Sequence, residues 1–236
     1  MDCRPFFFKK FGLFHHHSTM KIGTDAILLA RWVEVSAKDD VLDIGTGCGL
    51  IPMMLAQKGI KSADAVEIDN DSCAEAGRNF SNSAWNSQLF AIYGDIKDYA
   101  RHCNKKYDLI VSNPPFFFGD NIPEKTKKSL ARHTNTLSYN DLLVSVKTLL
   151  KPDGRFALVL PERESTTFLK DAENQGFYLQ KEMRIVPIEG RKPNRINMQL
   201  IVNQVDRVDS ETFVMRNQDH SFTKEYKEFL KDYYLD

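Results

Sequence analysis

The sequence predicts an α/β protein built on one mainly parallel sheet with helices on both faces. Three observations lead there. Apolar runs of strand length alternate with helical stretches from about residue 26 to residue 203, the signature of βαβ units. The chain has 236 residues, 42% hydrophobic and 27% charged, which excludes disordered, collagen-like and coiled-coil classes. A chain of this length can bury roughly 70% of its unfolded surface. A glycine-rich turn directly follows the first strand, and open α/β sheets bind ligands beyond such strand ends. The chain reads as one domain over 1–236: an N-terminal segment 1–38, a core 39–203 and a charge-rich extension 204–236.

The elements follow in order. Ala26–Val35 is helical, with Ile27, Leu28, Ala30 and Trp32 crowding one side. Val41–Ile44 is a short buried strand ending in glycines, and Leu50–Lys58 has helical spacing. Ala63–Ile68 is the next strand, and Asp71 caps a helix over Asp71–Ser83. Gln88–Tyr93 and Tyr107–Ser112 are strands, with a short helix over 96–103 between them. Ser138–Leu150 opens with a Ser cap and Asp141 at the third helical position, and stops before Pro152 and Gly154. Arg155–Leu160 is a strand, Glu162–Gln175 a helix ending at Gly176, and Phe177–Pro187 and Ile196–Val202 are strands. A final helix, Thr223–Tyr233, packs on the main body.

Charge and cysteine usage narrow the class. Lys plus Arg equals Asp plus Glu at 32 each, so any nucleic-acid contact must rest on local patches rather than a global positive field. Cys3, Cys48, Cys73 and Cys103 form no CxxC pair. No apolar run approaches the ~20 residues of a membrane helix, and Lys9 and Lys10 interrupt the aromatic N-terminus, which has no secretory pattern. These features read as a reducing, cytoplasmic setting without a structural metal.

Four strand ends carry the chemistry. Val41–Gly49 (VLDIGTGCG) runs a strand into an acid and then glycines, which permit a tight turn and close approach of a ligand. The spacing is GxGxG, one residue short of the dinucleotide fingerprint, and Asp43 puts a carboxylate suited to a cationic group beside the turn. Glu67, 20 residues beyond Gly47, stands where an acid accepts hydrogen bonds from both ribose hydroxyls of a nucleoside; Asp69 and Asp71 compete for that role. Asp95, after the third strand, can accept from an adenine amino group while Ile96 packs on the ring, and it can equally cap the helix that follows. Asn113-Pro114-Pro115-Phe116 follows Tyr107–Ser112. Its prolines remove two backbone donors, leaving the Asn113 oxygen and Pro114 carbonyl as acceptors beside an aromatic face. Two acceptors gripping a ring –NH₂ would aim its lone pair at an electrophile. The bland alternative is a rigid proline turn.

Together these motifs resemble the class I S-adenosylmethionine-dependent methyltransferases, in the amino-methylating branch with an Asn-Pro-Pro-aromatic motif, over about residues 20–203. Phe11–Ala30 (FGLFHHHSTMKIGTDAILLA) with DIGTGCG and NPPFF is similar to the bacterial tRNA1(Val) adenine-N6 methyltransferases. The resemblance implies a Rossmann-like, seven-stranded sheet and methylation of the adenosine 3′ of the anticodon. It implies that Asp43, Gly45 and Gly47 hold the methionine end of S-adenosylmethionine, Glu67 the ribose, and Asp95 and Ile96 the adenine. Lys21, Thr24 and Asp25 would close over the cofactor's amino-acid end. Asn113 and Pro114 would bind the target amine and Phe116, where many relatives have Tyr, would stack on the base. The partner would be tRNA and the protein a monomer, with no metal.

Other readings stay open: methylation of a protein glutamine amide, DNA adenine methylation, and a cofactor-binding module or oxidoreductase without methyl transfer. Weaker signals are His15-His16-His17, three adjacent histidines that do not suit one metal ion, and two basic stretches. Lys125, Lys127, Lys128 and Arg132 outnumber Asp120 and Glu124, and Arg184, Arg191, Lys192 and Arg195 outnumber Glu189. Both stretches are candidates for RNA contact, the first because it follows the NPPF turn.

Overall fold

A computed structural model of the protein describes residues 4–114 and 137–235. Its main sheet has eight strands in the order β10-β8-β9-β7-β6-β3-β4-β5. The strands are β3 (Asp40–Ile44), β4 (Ser62–Glu67), β5 (Leu89–Tyr93), β6 (Tyr107–Ser112), β7 (Leu150–Pro161), β8 (Tyr178–Val186), β9 (Arg195–Ile201) and β10 (Asp209–Val214). All adjacent pairs are parallel except the two that β9 makes, with β7 and β8. β3 sits centrally with four of its five residues buried, as a strand covered on both faces must be. The helices are α1 (Thr24–Trp32), α2 (Leu50–Gln57), α3 (Asn70–Ser81), α4 (Ile96–His102), α5 (Tyr139–Leu149), α6 (Glu162–Asn174) and α7 (Lys224–Leu230). One face of the sheet packs against α1, α2, α3 and α7 through a core that includes Leu28, Met53, Ala76 and Tyr226. The other packs against α4, α5 and α6 around Ala100, Leu143 and Phe168.

Local chemistry sets the element ends. Ser138 caps α5 by accepting from the Asp141 N–H, as its spacing predicts. The cap of α3 differs from expectation: Asp69, in an extended conformation, accepts from the Ser72 N–H at 2.8 Å. Asp71 sits inside the first turn instead, where its charge complements the helix dipole. β7 begins at Leu150, not Arg155, passing through Pro152 and Gly154 opposite a register shift between Tyr107 and Leu109. Such irregularities let a strand absorb residues that would otherwise end it.

The sheet has one strand more than the expected seven. β10 adds in parallel to β8 from within the 204–236 extension. Its sequence DSETFV buries only Phe213, so an exposed edge strand presented no apolar run to detect. A two-stranded antiparallel ribbon, β1 (Phe6–Phe7) with β2 (Gly12–Leu13), also precedes the core. It buries Phe8, Phe11 and Leu13 and leaves Phe6 and Phe7 exposed. The ribbon meets the C-terminal segment, where the Lys9 N–H donates to the Tyr233 carbonyl at 2.8 Å. No helix among the described residues is long and apolar enough to cross a membrane.

Candidate active site

The glycine turn, Glu67, Asp95 and Asn113 converge at the C-terminal edge of the sheet. Gly45, Gly47 and Gly49 all adopt positive φ, at 74°, 57° and 87°, a region that glycine enters without steric cost. Gly49 also has no room for a side chain, since a Cβ there would lie 2.5 Å from the Phe80 ring. The turn is tied to β4 by the Gly45 N–H, which donates to the Val66 carbonyl at 2.9 Å. Glu67 holds it from the side: its carboxylate accepts from the Gly47 N–H at 2.8 Å and the Asp69 N–H at 2.9 Å. Burial raises the Glu67 carboxyl above its ordinary value, and those two donors oppose the rise.

Among the described residues, three polar groups at this edge are buried without a hydrogen bond of normal geometry: both oxygens of Asp43, the Thr46 hydroxyl and Asn113 Oδ1. Buried polar atoms are nearly always paired, so a cluster of orphans marks where a ligand supplies the partners. Asp43 is 1% exposed. Burial pushes its carboxyl up to about 7; the Glu67 charge adds to the rise and the neighbouring Thr46 hydroxyl opposes it. An acid in this state is paired best by a cation. Asn113 comes to the same strand-end edge because β3 pairs with β6, Ile44 opposite Ser112, and the Ser112 hydroxyl donates to the Ile44 carbonyl at 2.9 Å. The residues at this edge therefore fit a ligand carrying both a cationic group and a nucleoside.

Asp95 caps α4, accepting from the Lys97 N–H at 2.8 Å, and Ile96 is buried behind it. A cavity of about 460 Å³ opens beside them, lined by Tyr93, Gly94 and Tyr99 among others. Thr24 begins α1. Two other residues of the N-terminal segment already have protein partners. Lys21 Nζ donates to the His15 and His16 carbonyls at 2.8 and 3.1 Å, and Asp25 pairs with Arg195 at 2.9 Å. In the second basic stretch, Arg184 likewise pairs with Glu162 and Glu182, while Arg191 and Lys192 are exposed. Pro114 is buried. Pro115, Phe116, Lys125, Lys127, Lys128 and Arg132 lie outside the described residues.

Sequence reading missed the face of α3 that fastens the N-terminal segment over this edge. Ser72, Glu75 and Asn79 follow i, i+3, i+7 spacing, which places them on one side of a helix. Asn79 accepts from the Phe14 N–H at 2.9 Å and donates to the carbonyls of Phe14 and Cys48, both at 2.8 Å, joining that segment to the glycine turn. Glu75 accepts from the backbone N–H groups of His16, His17 and Ser18 at 2.8, 3.1 and 2.8 Å. Burial opposes ionisation of Glu75, but these three donors prevail and hold its carboxyl below the ordinary value. Ser72 Oγ accepts from the Thr19 N–H at 3.1 Å. Ser18 then lies against the turn, its hydroxyl 3.4 Å from where a Gly47 Cβ would be. The sequence does carry the signal: polar residues at helical positions flanking the buried Cys73, Ala76 and Phe80.

Comparison with known proteins agrees with this geometry. The family profile of the methyltransferase small domain matches residues 6–174. A Parabacteroides distasonis protein named tRNA1(Val) (adenine(37)-N6)-methyltransferase is 37% identical over 234 residues, 99% of each chain. A Trichodesmium erythraeum protein of the same name is 37% identical over 238 residues, covering 100% of this chain and 99% of its own. Among solved structures, an Agrobacterium tumefaciens protein described as a predicted O-methyltransferase shares the fold. Its TM-score is 0.69 at 16% identity, covering 89% of this chain and 96% of its own. The glycopeptide N-methyltransferase MtfA, in complex with S-adenosyl-L-methionine, shares it at a TM-score of 0.56 and 13% identity, covering 80% of this chain and 98% of its own. With that fold, the orphaned acid and amide at its strand ends, and these full-length relatives, the chain belongs to the S-adenosylmethionine-dependent methyltransferases of the small-domain family, in the group that bears the tRNA1(Val) (adenine(37)-N6)-methyltransferase name.

Proposed function

We propose that the protein methylates N6 of an adenosine in tRNA, the one 3′ of the anticodon in tRNA1(Val), within a single methyltransferase unit spanning 1–236. The observation that carries the chemistry is the buried Asn113 Oδ1, without a partner among the described residues, at the sheet edge that also holds the buried Asp43 carboxylate. S-adenosylmethionine supplies an electrophilic methyl group on a sulfonium. Asp43 pairs with the cofactor's ammonium, and the glycine turn lets the backbone approach it. Glu67 takes the ribose hydroxyls on lone pairs that its two backbone donors leave open, and Asp95 and Ile96 take the adenine. Lys21, Thr24 and Asp25 border the amino-acid end. Asn113 and the Pro114 carbonyl accept the two hydrogens of the target amine, which favours a pyramidal nitrogen as positive charge develops there. The rest of the rate comes from holding amine and methyl in line. Phe116 stacks on the base, which leaves its neighbours cheaply in a single-stranded loop.

The relatives' names support tRNA as the acceptor. A tRNA acceptor puts the activity in the cytoplasm, and a monomer without metal suffices for it. The test is to incubate the protein with methyl-labelled cofactor and separate pools of tRNA, rRNA, DNA and protein, then digest the labelled product. Label recovered as N6-methyladenosine from tRNA supports the proposal. Label confined to protein glutamine sinks it.

A further inference from the structure

At the end of α1 and α2 remote from the glycine turn lies a cavity of about 500 Å³. Helix α2 separates the two places, and its eight residues rise ~12 Å. Lys9, Lys10, Arg31, Lys58 and Lys231 line the cavity, and among its lining residues Asp232 is the one acid. A chain with equal numbers of acids and bases thus gathers five cations around one concavity.

Three of the cations are held in place, Lys231 by its ion pair with Glu228. Lys58 Nζ donates to the carbonyls of Ala30, Arg31 and Val33, capping α1. Arg31 Nε donates to the Phe229 carbonyl at 2.8 Å, and its guanidinium lies 4.9 Å from the Phe229 ring. Its two outer nitrogens make no hydrogen bond among the described residues, and Lys10 has no acidic partner there. Burial, with the Arg31 charge adding, depresses the Lys58 ammonium to about 8. Arg31 and Lys58 repel each other, and an anion relieves that repulsion. A guanidinium offering its outer N–H groups beside ammonium ions suits phosphate oxygens.

We infer that this cavity is a phosphate-binding site, separate from the methyl-transfer site, which takes a backbone phosphate of the RNA substrate at a point away from the target base. The inference rests on the tRNA reading above for its source of phosphate. A long, folded RNA reaches beyond the target loop, and one phosphate contact here adds affinity and register without sequence information.

The test compares wild type with the double variant Lys10→Glu/Lys231→Gln, both exposed side chains outside the cofactor site. Binding of tRNA is measured across a salt series, alongside titration of each protein with inorganic pyrophosphate. The expected result is about tenfold weaker tRNA binding in the variant. The salt slope should be shallower by about one, at ~0.9 per lost duplex phosphate contact. KM for tRNA should rise, while kcat at saturating tRNA and affinity for S-adenosylhomocysteine stay unchanged. Pyrophosphate binding that the variant loses, with tRNA binding unmoved, would keep the phosphate site but overturn RNA as its source. An unchanged slope with no pyrophosphate binding would overturn the site altogether. Arg31→Gln, which keeps much of the side-chain length, repeats the measurement from within the cavity. Failure of the tRNA reading shows separately, as wild type that methylates no tRNA, and the pyrophosphate arm still reads the site in that case.

Discussion

On the proposed mechanism Asn113 serves the amine and Asp43 the cofactor, and their substitutions should separate the two roles. Asn113→Ala should cut methyl transfer by ~10²–10³-fold, the typical cost of losing one positioned partner for developing charge. Affinity for S-adenosylhomocysteine should stay within about threefold, and near-normal turnover would remove Asn113 from the reaction. Asp43 gives a pH signature. Its folded carboxyl ionises only near 7, whereas an unfolded aspartate ionises near 4. Between those values the unfolded chain loses a proton that the fold keeps. Ligand-free stability should therefore fall as pH rises from about 4 to 7, and Asp43→Asn should flatten that profile in thermal melts. Binding a cationic ligand selects the ionised carboxylate, so cofactor affinity should weaken up to about tenfold per pH unit below 7. Calorimetry in buffers of different ionisation enthalpy should then detect about one proton released at pH 6. All four strand-end motifs were legible in the sequence because each is a local run of residues with one physical reason. The state of Asp43 was not, because burial depends on β6 and β4 closing around β3.

Helix α3 is the element that converts the N-terminal segment from a tail into part of the site. Asn79→Ala would leave the Phe14 N–H and the Phe14 and Cys48 carbonyls without their partner, at ~1 kcal/mol or more for each group. For a chain of this size that corresponds to a fall of roughly 6–12 °C in Tm. Cofactor affinity should fall with it, since the same bonds join the segment to the turn. Glu75 behaves oppositely to Asp43. Its carboxyl is held below the ordinary value, so its contribution is present above an unfolded pKa of ~4.3 and is lost as pH falls through the folded value. The protection of the His16, His17 and Ser18 amides against hydrogen exchange, relative to their intrinsic rates, should accordingly be lost only in acid. Most helices and central strands were legible from apolar period and caps, as Ser138 and Asp141 illustrate. β10 and the β1–β2 ribbon were not. Each buries too few side chains to write a period, and each exists because a neighbour offers an edge or a core to lean on.

For the whole molecule, neutrality means that the proposed RNA recognition must be local. Reversing Lys127, Lys128 and Arg132 to Glu should raise KM for tRNA and flatten the salt slope, while Phe116→Ala should lower turnover with little change in slope, because base stacking at ~1–3 kcal/mol is not screened by ions. Salt-dependent kinetics on both variants check this, and an untouched slope after the triple reversal would move the contact to Arg191 and Lys192. The meeting of Lys9 with Tyr233, reinforced by the stacked rings of Phe8 and Tyr234 at 6.1 Å, has a consequence in time. Those two rings lie 226 positions apart (234 minus 8). At ~5–20 residues per second of synthesis, the first aromatic waits roughly 10–45 s on the ribosome for its partner. Throughout that interval the nascent ribbon exposes Phe8 to whatever the ribosome exit offers. The ribbon that leads into the segment over the glycine turn is therefore among the first parts translated, and its contact with the C-terminal segment among the last to form.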